Sequence, residues 1–235
     1  MHLFLRTVAA VALASAGAAG ALAAPGTTAP AAQRDWTQTV VATPEGGFRM
    51  GNPAAATRIV EYVSLTCPHC RQFAETGSQA LIRDHVASGR LSFEIRPFPL
   101  DPVAAVGAQI NRCAAPDHAI PLNDDILRAQ TEFFARLHAL TPEQASEIQA
   151  LSPAAFRQRV AALAGFDAIA ARHGIGPAAL GTCLNDEAGA ARVAEIKAAA
   201  EALGVDGTPT FLLNGAVAQN VHDWAGLQAL LAAGR

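Results

Sequence analysis

The chain has 235 residues, 51% of them hydrophobic, enough to bury an ordinary core in one compact domain or two small ones. Its formal net charge is −3 and no basic block is visible, which argues against nucleic acid as a partner. Lys197 is the sole lysine and alanine is abundant, a composition bias that carries no functional reading.

Arg6 precedes an apolar run from Val8 to about Leu22, closed by the small-x-small pattern Ala21-Leu22-Ala23. This is the layout of a secretory signal peptide over residues 1–23, cleaved after Ala23 or, as the next choice, Ala24. The run is short and Ala/Gly-rich for a membrane span, so an uncleaved anchor is the lesser alternative. Export would place the mature chain in an oxidising compartment, where disulfides persist and four cysteines have the chance to pair.

Residues 24–35, rich in Ala, Pro, Thr and Gln, read as a linker. Trp36–Ala42 alternates and is β-branched, and Pro44-Glu45-Gly46-Gly47 turns the chain before Phe48-Arg49-Met50, so a short strand or hairpin is predicted. Arg58–Ser64 is a buried central strand. The pair Cys67-Pro68-His69-Cys70 follows it and opens a helix predicted from Pro68 to about Ser88, with Pro at the first position and Gly89 as the stop. Leu91–Arg96 alternates as a strand, broken by Pro97-Phe98-Pro99-Leu100-Asp101-Pro102.

From Val103 to Leu203 the apolar period becomes helical. Thr141-Pro142-Glu143-Gln144 carries a capping box, and Ser152-Pro153 repeats the cap-and-proline device. Gly204 stops the last of these helices. Thr210–Leu213 is a strand, Asn214-Gly215 a hairpin turn, Ala216–Ala218 the return, and Asp223 caps a final helix through Leu231. A β-α-β unit and a β-β-α unit on one sheet make an α/β thioredoxin fold, residues 36–102 and 204–235, with an inserted all-helical subdomain at 103–203.

Two cysteines separated by two residues at a helix start suit redox exchange. Unpaired N–H groups and the helix dipole favour an anion at Cys67, and His69 inside the ring adds a hydrogen bond or positive charge. At such sites a cysteine pKa drops by several units from about 8.5. A stabilised thiolate stabilises the reduced form, so the disulfide becomes a stronger oxidant. Cys67 is then the exchange sulfur and Cys70 the buried resolving thiol. Zinc would need two further ligands at comparable spacing, and c-type haem would need histidine where Arg71 stands. A purely structural disulfide is the bland reading, although a four-residue ring is a poor staple.

The run Glu61-Tyr62-Val63-Ser64-Leu65-Thr66-Cys67-Pro68-His69-Cys70 resembles the active-site segment of DsbA-family thiol:disulfide oxidoreductases. Gly204-Val205-Asp206-Gly207-Thr208-Pro209-Thr210-Phe211 resembles their second signature, a cis-proline loop. The resemblance extends from about Trp36 to the end. It implies that Pro209 is cis and faces the redox pair, that Thr208 pairs with an extended substrate segment, and that Pro68 and His69 mark an oxidising dipeptide. It also implies that Glu61 relays a proton for Cys70; the bland alternative is a strand-edge glutamate without a role.

The implied activity is periplasmic disulfide oxidation of unfolded exported proteins with free thiols, by a monomer needing neither cofactor nor metal. A quinone-coupled membrane partner would reoxidise the enzyme. Thr208 departs from the valine of the best-known oxidases, which keeps an isomerase or reductase in play. Isomerases of this class usually carry an N-terminal dimerisation domain, and the expectation of only a linker at 24–35 disfavours a dimeric isomerase. A copper(I)-binding dithiol is the more remote alternative.

Cys113 and Cys183 form an even leftover pair, which favours a structural disulfide over two buried free thiols. Closing about 70 residues would contribute roughly 4 kcal/mol by chain entropy. The histidines at 85, 118, 138, 173 and 222 show no ligand spacing. Phe133-Phe134, Phe156 and Phe166 read as core, and Leu65, Pro99 and Val205 as lining for a substrate groove.

Overall fold

The structure is a computed structural model and describes residues 34–233. The expected signal peptide, and the linker up to residue 33, lie outside the described residues.

Six strands, β1 (Val40–Ala42), β2 (Phe48–Gly51), β3 (Thr57–Val63), β4 (Leu91–Pro97), β5 (Thr210–Leu213) and β6 (Ala216–Val217), form one sheet in the order β1-β2-β4-β3-β5-β6. β3 runs parallel to β4, and every other pairing is antiparallel. A parallel pair needs a crossover, and helices on both faces bury the strand between them. That is why Ile59 to Val63 is continuously buried rather than alternating. The two-residue period still sorts this strand. Ile59, Glu61 and Val63 face the larger core with Phe73 and Phe211, whereas Val60 and Tyr62 face a smaller cluster with Phe98, Ala200, Val205 and Leu212.

The crossover is one helical run of α1 (Pro68–Phe73), a π-helical turn over Ala74–Ser78, α2 (Gln79–Leu81) and a second π-helical turn over Ile82–Val86. It ends two residues before the predicted Ser88, with Gly89 at φ 78° in the turn that follows. The first π turn has local causes. Thr76 Oγ1 donates back to the Gln72 carbonyl at 2.8 Å, and Gly77 lies so close to Phe73 and Trp224 that a Cβ there would come within 2.8 Å of both.

At the N-terminal end, Trp36–Gln38 forms a 3₁₀ turn in place of the predicted strand start, because Asp35 Oδ1 accepts from the Thr37 N–H at 3.0 Å. The remaining strand is β1, on the sheet edge. Beyond β4, Asp101 caps α3 (Pro102–Arg112) through the Ala104 N–H at 2.9 Å. Then come α4 (Pro116–Arg128), α5 (Gln130–His138), α6 (Pro142–Gln149), α7 (Pro153–Ala164), α8 (Phe166–Arg172), α9 (Pro177–Asn185) and α10 (Glu187–Ala202). Thr141 and Gln144 make the reciprocal capping box at α6. Ser152 occupies the cap position of α7, but its hydroxyl makes no capping bond, so there the start is set by Pro153 alone.

Phe133 and Phe166, edge to face at 5.3 Å, lie fully buried at the centre of the helical block; Phe134 and Phe156 are only partly buried around them. α10 also serves the sheet: Ala200 packs on Val60 and Tyr62, and Lys197 lies over the Phe98 ring at 5.3 Å. The last helix of the predicted insertion is therefore also the cover of the second sheet face. Gly204, at φ 85°, ends it in the left-handed conformation open to glycine, and Val205 N–H closes back onto Ala200 O at 3.1 Å. Asn214 and Gly215, both at positive φ, turn β5 into β6, and Asp223 caps α11 (Trp224–Ala233) through the Gly226 N–H at 2.8 Å.

Candidate active site

β3 ends beside the start of α1, and a tight turn between them, Cys67 N–H to Ser64 O at 3.1 Å, leaves Cys67 as the N-cap residue with Pro68 at the first helical position. The N-cap is where backbone donors lack intrahelical partners. Cys67 is 5% exposed and Cys70, one turn on, is 0% exposed. Both are free thiols.

The two sulfurs differ sharply in acidity. A hydrogen bond from Cys70 to Cys67 is the largest cause that lowers the Cys67 pKa, to about 5; burial opposes it, and Thr208 and the backbone N–H groups of Cys70 and His69 add to the lowering. For Cys70 burial comes first, followed by the hydrogen bond to Cys67, and they push its thiol well above the ordinary value. One proton is thus held by Cys70 while Cys67 is a thiolate at neutral pH.

Thr208, just before β5, faces the pair at the same end of the sheet, because β5 runs antiparallel to β3, and the Thr208–Pro209 peptide is cis. As a thiol, Cys67 donates to the Thr208 carbonyl at 3.1 Å. Among the described residues the Thr208 hydroxyl is buried without a hydrogen-bond partner and is the donor left for the thiolate. His222 Nδ1 stands 3.3 Å from the Pro209 carbonyl. Pro68 and His69 are exposed, and among the described residues the His69 imidazole makes no hydrogen bond or ion pair, so its contribution to Cys67 runs through its backbone N–H.

Glu61 is not at a strand edge. It is 3% exposed, on the central strand and on the face of the redox helix, and among the described residues its Oε1 has no hydrogen-bond partner. Burial, then the neighbouring charges of Asp124 and Cys67, raises its pKa well above the carboxylate range. Its charge in turn contributes to the raised pKa of Cys70.

Sequence reasoning missed two residues, both from the helical block. Asp124 of α4 is 3% exposed, accepts from Ser78 Oγ at 3.0 Å, and is raised by burial to about 6 despite the nearby Arg128. Gln130, the first residue of α5, donates from Nε2 to the Leu65 and Cys67 carbonyls at 3.0 and 2.9 Å. Nothing local in the sequence marks either, because both look like ordinary polar residues of amphipathic helices. The predicted groove is corrected as well: Leu65 and Val205 are 3% and 2% exposed and Pro99 is buried, so all three are core.

Away from the pair, Cys113 at the end of α3 is bonded to Cys183 in α9 across a separation of 70 residues. Gln109 ties the same two segments by donating to the carbonyls of Cys183 and Asp186.

The profile of the thioredoxin family matches residues 43–233. A Rickettsia typhi protein provisionally named as a protein-disulfide oxidoreductase is 24% identical over 174 residues, 73% of this chain and 56% of that protein. The chain thus spans just over half the length of the curated relatives it matches. Among solved structures, the protein-disulfide isomerase of Novosphingobium aromaticivorans shares 31% identity at a TM-score of 0.74, covering 80% of this chain and 96% of that one. Alpha-DsbA1 of Wolbachia pipientis shares the fold at 20% identity and a TM-score of 0.58, over 79% and 88% of the two chains. With nearly all of the described residues inside the matching profile, the chain belongs to the thioredoxin family, in the DsbA-like form that carries a helical insertion.

Proposed function

We propose that the protein is a periplasmic thiol:disulfide oxidase that donates a Cys67–Cys70 disulfide to exported proteins. The carrying observation is the asymmetry of the pair: Cys67 lowered to about 5, Cys70 held protonated and out of solvent. In the reaction a substrate thiolate attacks Cys67 Sγ and the Cys67–Cys70 bond breaks. Cys70 leaves as a thiolate and takes up a proton, for which Glu61, a buried carboxyl whose charge acts on Cys70, is the relay. A second substrate thiolate then attacks the substrate sulfur of the mixed disulfide, and Cys67 leaves as a stable thiolate. The substrate loses two electrons and gains a disulfide; the enzyme ends as the dithiol. A low leaving-group pKa favours this last step and makes the enzyme disulfide oxidising.

Thr208 and Pro209 form the edge against which an extended substrate segment lies. By resemblance, a quinone-coupled membrane protein restores the disulfide, and the enzyme acts as a monomer without a metal or cofactor. The test is oxidation of a reduced two-cysteine peptide by the oxidised protein. Activity should vanish in Cys67→Ser, whereas Cys70→Ala, offered glutathione disulfide, should accumulate a mixed disulfide on Cys67 as its thiolate attacks and one glutathione thiol is released. An inactive wild type, or an active Cys67→Ser, would overturn the proposal.

A second reading, isomerase, is favoured by Thr208 and by the name of the Novosphingobium relative. A reduction potential near that of thioredoxin, with repair of a scrambled disulfide protein exceeding net oxidation, would select it.

A further inference from the structure

We propose that Gln130 is a positioning residue for the exchange cysteine: its side-chain amide, brought in by the helical block, fixes the backbone carbonyls of Leu65 and Cys67. The inference rests on the disulfide-exchange reading of Cys67.

A primary amide has two N–H donors, and here both are used on one loop: Nε2 reaches Leu65 O at 3.0 Å and Cys67 O at 2.9 Å. Gln130 is 2% exposed, so water is not at hand to replace it. Among the described residues, the other bond that the Cys67 carbonyl accepts is the longer one from Arg71 N–H at 3.2 Å. With both carbonyls held, the N-cap conformation of Cys67 (φ −79°, ψ 122°) is held too. That conformation aims Sγ at the N–H groups of His69 and Cys70, and the field of a helix end fades within one turn, so a small rotation there weakens the interaction. The amide hydrogens also offset two carbonyl oxygens whose negative ends would otherwise oppose a thiolate nearby.

The rest of the redox helix is gripped independently. Thr131 Oγ1 accepts from Arg71 Nη1 at 2.8 Å, Arg128 Nη2 donates to Ala74 O at 3.0 Å, and Asp124 accepts from Ser78 at 3.0 Å. These contacts fall at successive turns and come from the same stretch of the helical block. Gln130 reaches the Cys67 backbone itself, whereas its neighbours hold the helix farther along. Replacing Gln130 therefore separates the position of the sulfur from the packing of the helix.

The experiment titrates the Cys67 thiolate of the reduced full chain by its ultraviolet absorbance, in the wild type, Gln130→Met and Gln130→Glu. Methionine keeps the length and loses both donors; its Cys67 midpoint should rise by about one pH unit, the size of one ordinary net hydrogen bond. Glutamate as an anion adds repulsion, and its midpoint should rise further. The rate of Cys67 alkylation at a pH between the two midpoints should fall accordingly. Thr131→Val is the control that loses a neighbouring bond without moving the midpoint.

A merely structural glutamine would lower the melting temperature of oxidised and reduced forms alike and leave the titration within about 0.2 unit of wild type, which overturns the proposal. The wild type gives a second readout that needs no variant. The Gln130 side-chain amide signals in a ¹H–¹⁵N spectrum should follow the Cys67 titration, and signals that stay constant through it also overturn the proposal. If the wild type fails to oxidise a reduced peptide, the oxidase reading falls while this comparison still stands. If it oxidises and the variants titrate unchanged, the positioning role alone falls.

Discussion

Acidification from pH 7 to pH 4 should remove stability from the reduced protein that the oxidised protein does not have. The Cys67 thiol titrates at about 5 in the fold against 9.0 for an ordinary cysteine. An acid whose folded pKa is depressed stabilises the fold fully above the unfolded value, and that stability is lost as pH falls through the folded value. The full shift, 9.0 to about 5, corresponds to about 5 kcal/mol above pH 9. At pH 7 only the interval from about 5 to 7 counts, two units or about 3 kcal/mol, and by pH 4 nothing is left. Cys70 adds nothing in this window, because its raised pKa keeps it protonated in both states.

The assay is urea denaturation of both redox forms at intervals between pH 4 and 7. Subtracting the oxidised form cancels, to first order, the titrations outside the dithiol. The reduced-minus-oxidised difference should fall by about 3 kcal/mol toward low pH, flattening below about 5. Converted at about 30 mV per 1.4 kcal/mol, the same quantity makes the disulfide about 60 mV more oxidising at pH 7 than an unperturbed pair. A difference that is flat across this range would refute a thiolate stabilised by the fold.

Asp124→Asn should stabilise the protein at pH 7, because the buried carboxyl is raised from 3.8 to about 6. A raised acid pKa penalises the fold increasingly between those values and fully above the upper one; the gain should approach about 3 kcal/mol at pH 7 and vanish below pH 4, read from urea midpoints, and a loss at both pH values would contradict it. Replacing Cys113 and Cys183 together by alanine opens a 70-residue loop and should cost about 4 kcal/mol, seen as a lower melting temperature, with the Cys67 titration unchanged. Phe211→Ala should cost about 3–5 kcal/mol, since the ring is 0% exposed and meets Phe73 of the redox helix edge to face at 4.9 Å; a change below about 1 kcal/mol would mean that this contact is not a pillar of the core.

The local elements were legible because their causes are local. Glycine and proline punctuation, the capping box at Thr141 and the two-residue turn at Asn214-Gly215 act within a few residues of the chain. The misread places are those where a local preference met a competing partner: Asp35 turning Trp36–Gln38 into 3₁₀, Ser152 without its bond, the helix after Cys70 drawn into its first π turn by Thr76 and Gly77.

The sequence by itself determined the redox pair, its place between a strand and a helix, and the Thr208-Pro209 run, since each is a short run of adjacent residues. Only the tertiary structure decided what surrounds the sulfurs. It placed Glu61 on the central strand beneath Cys70, brought Asp124 and Gln130 from a helical block some sixty residues away along the chain, and bonded Cys113 to Cys183. Burial, field and hydrogen-bond direction depend on distance in space, and a linear pattern encodes distance only along the chain.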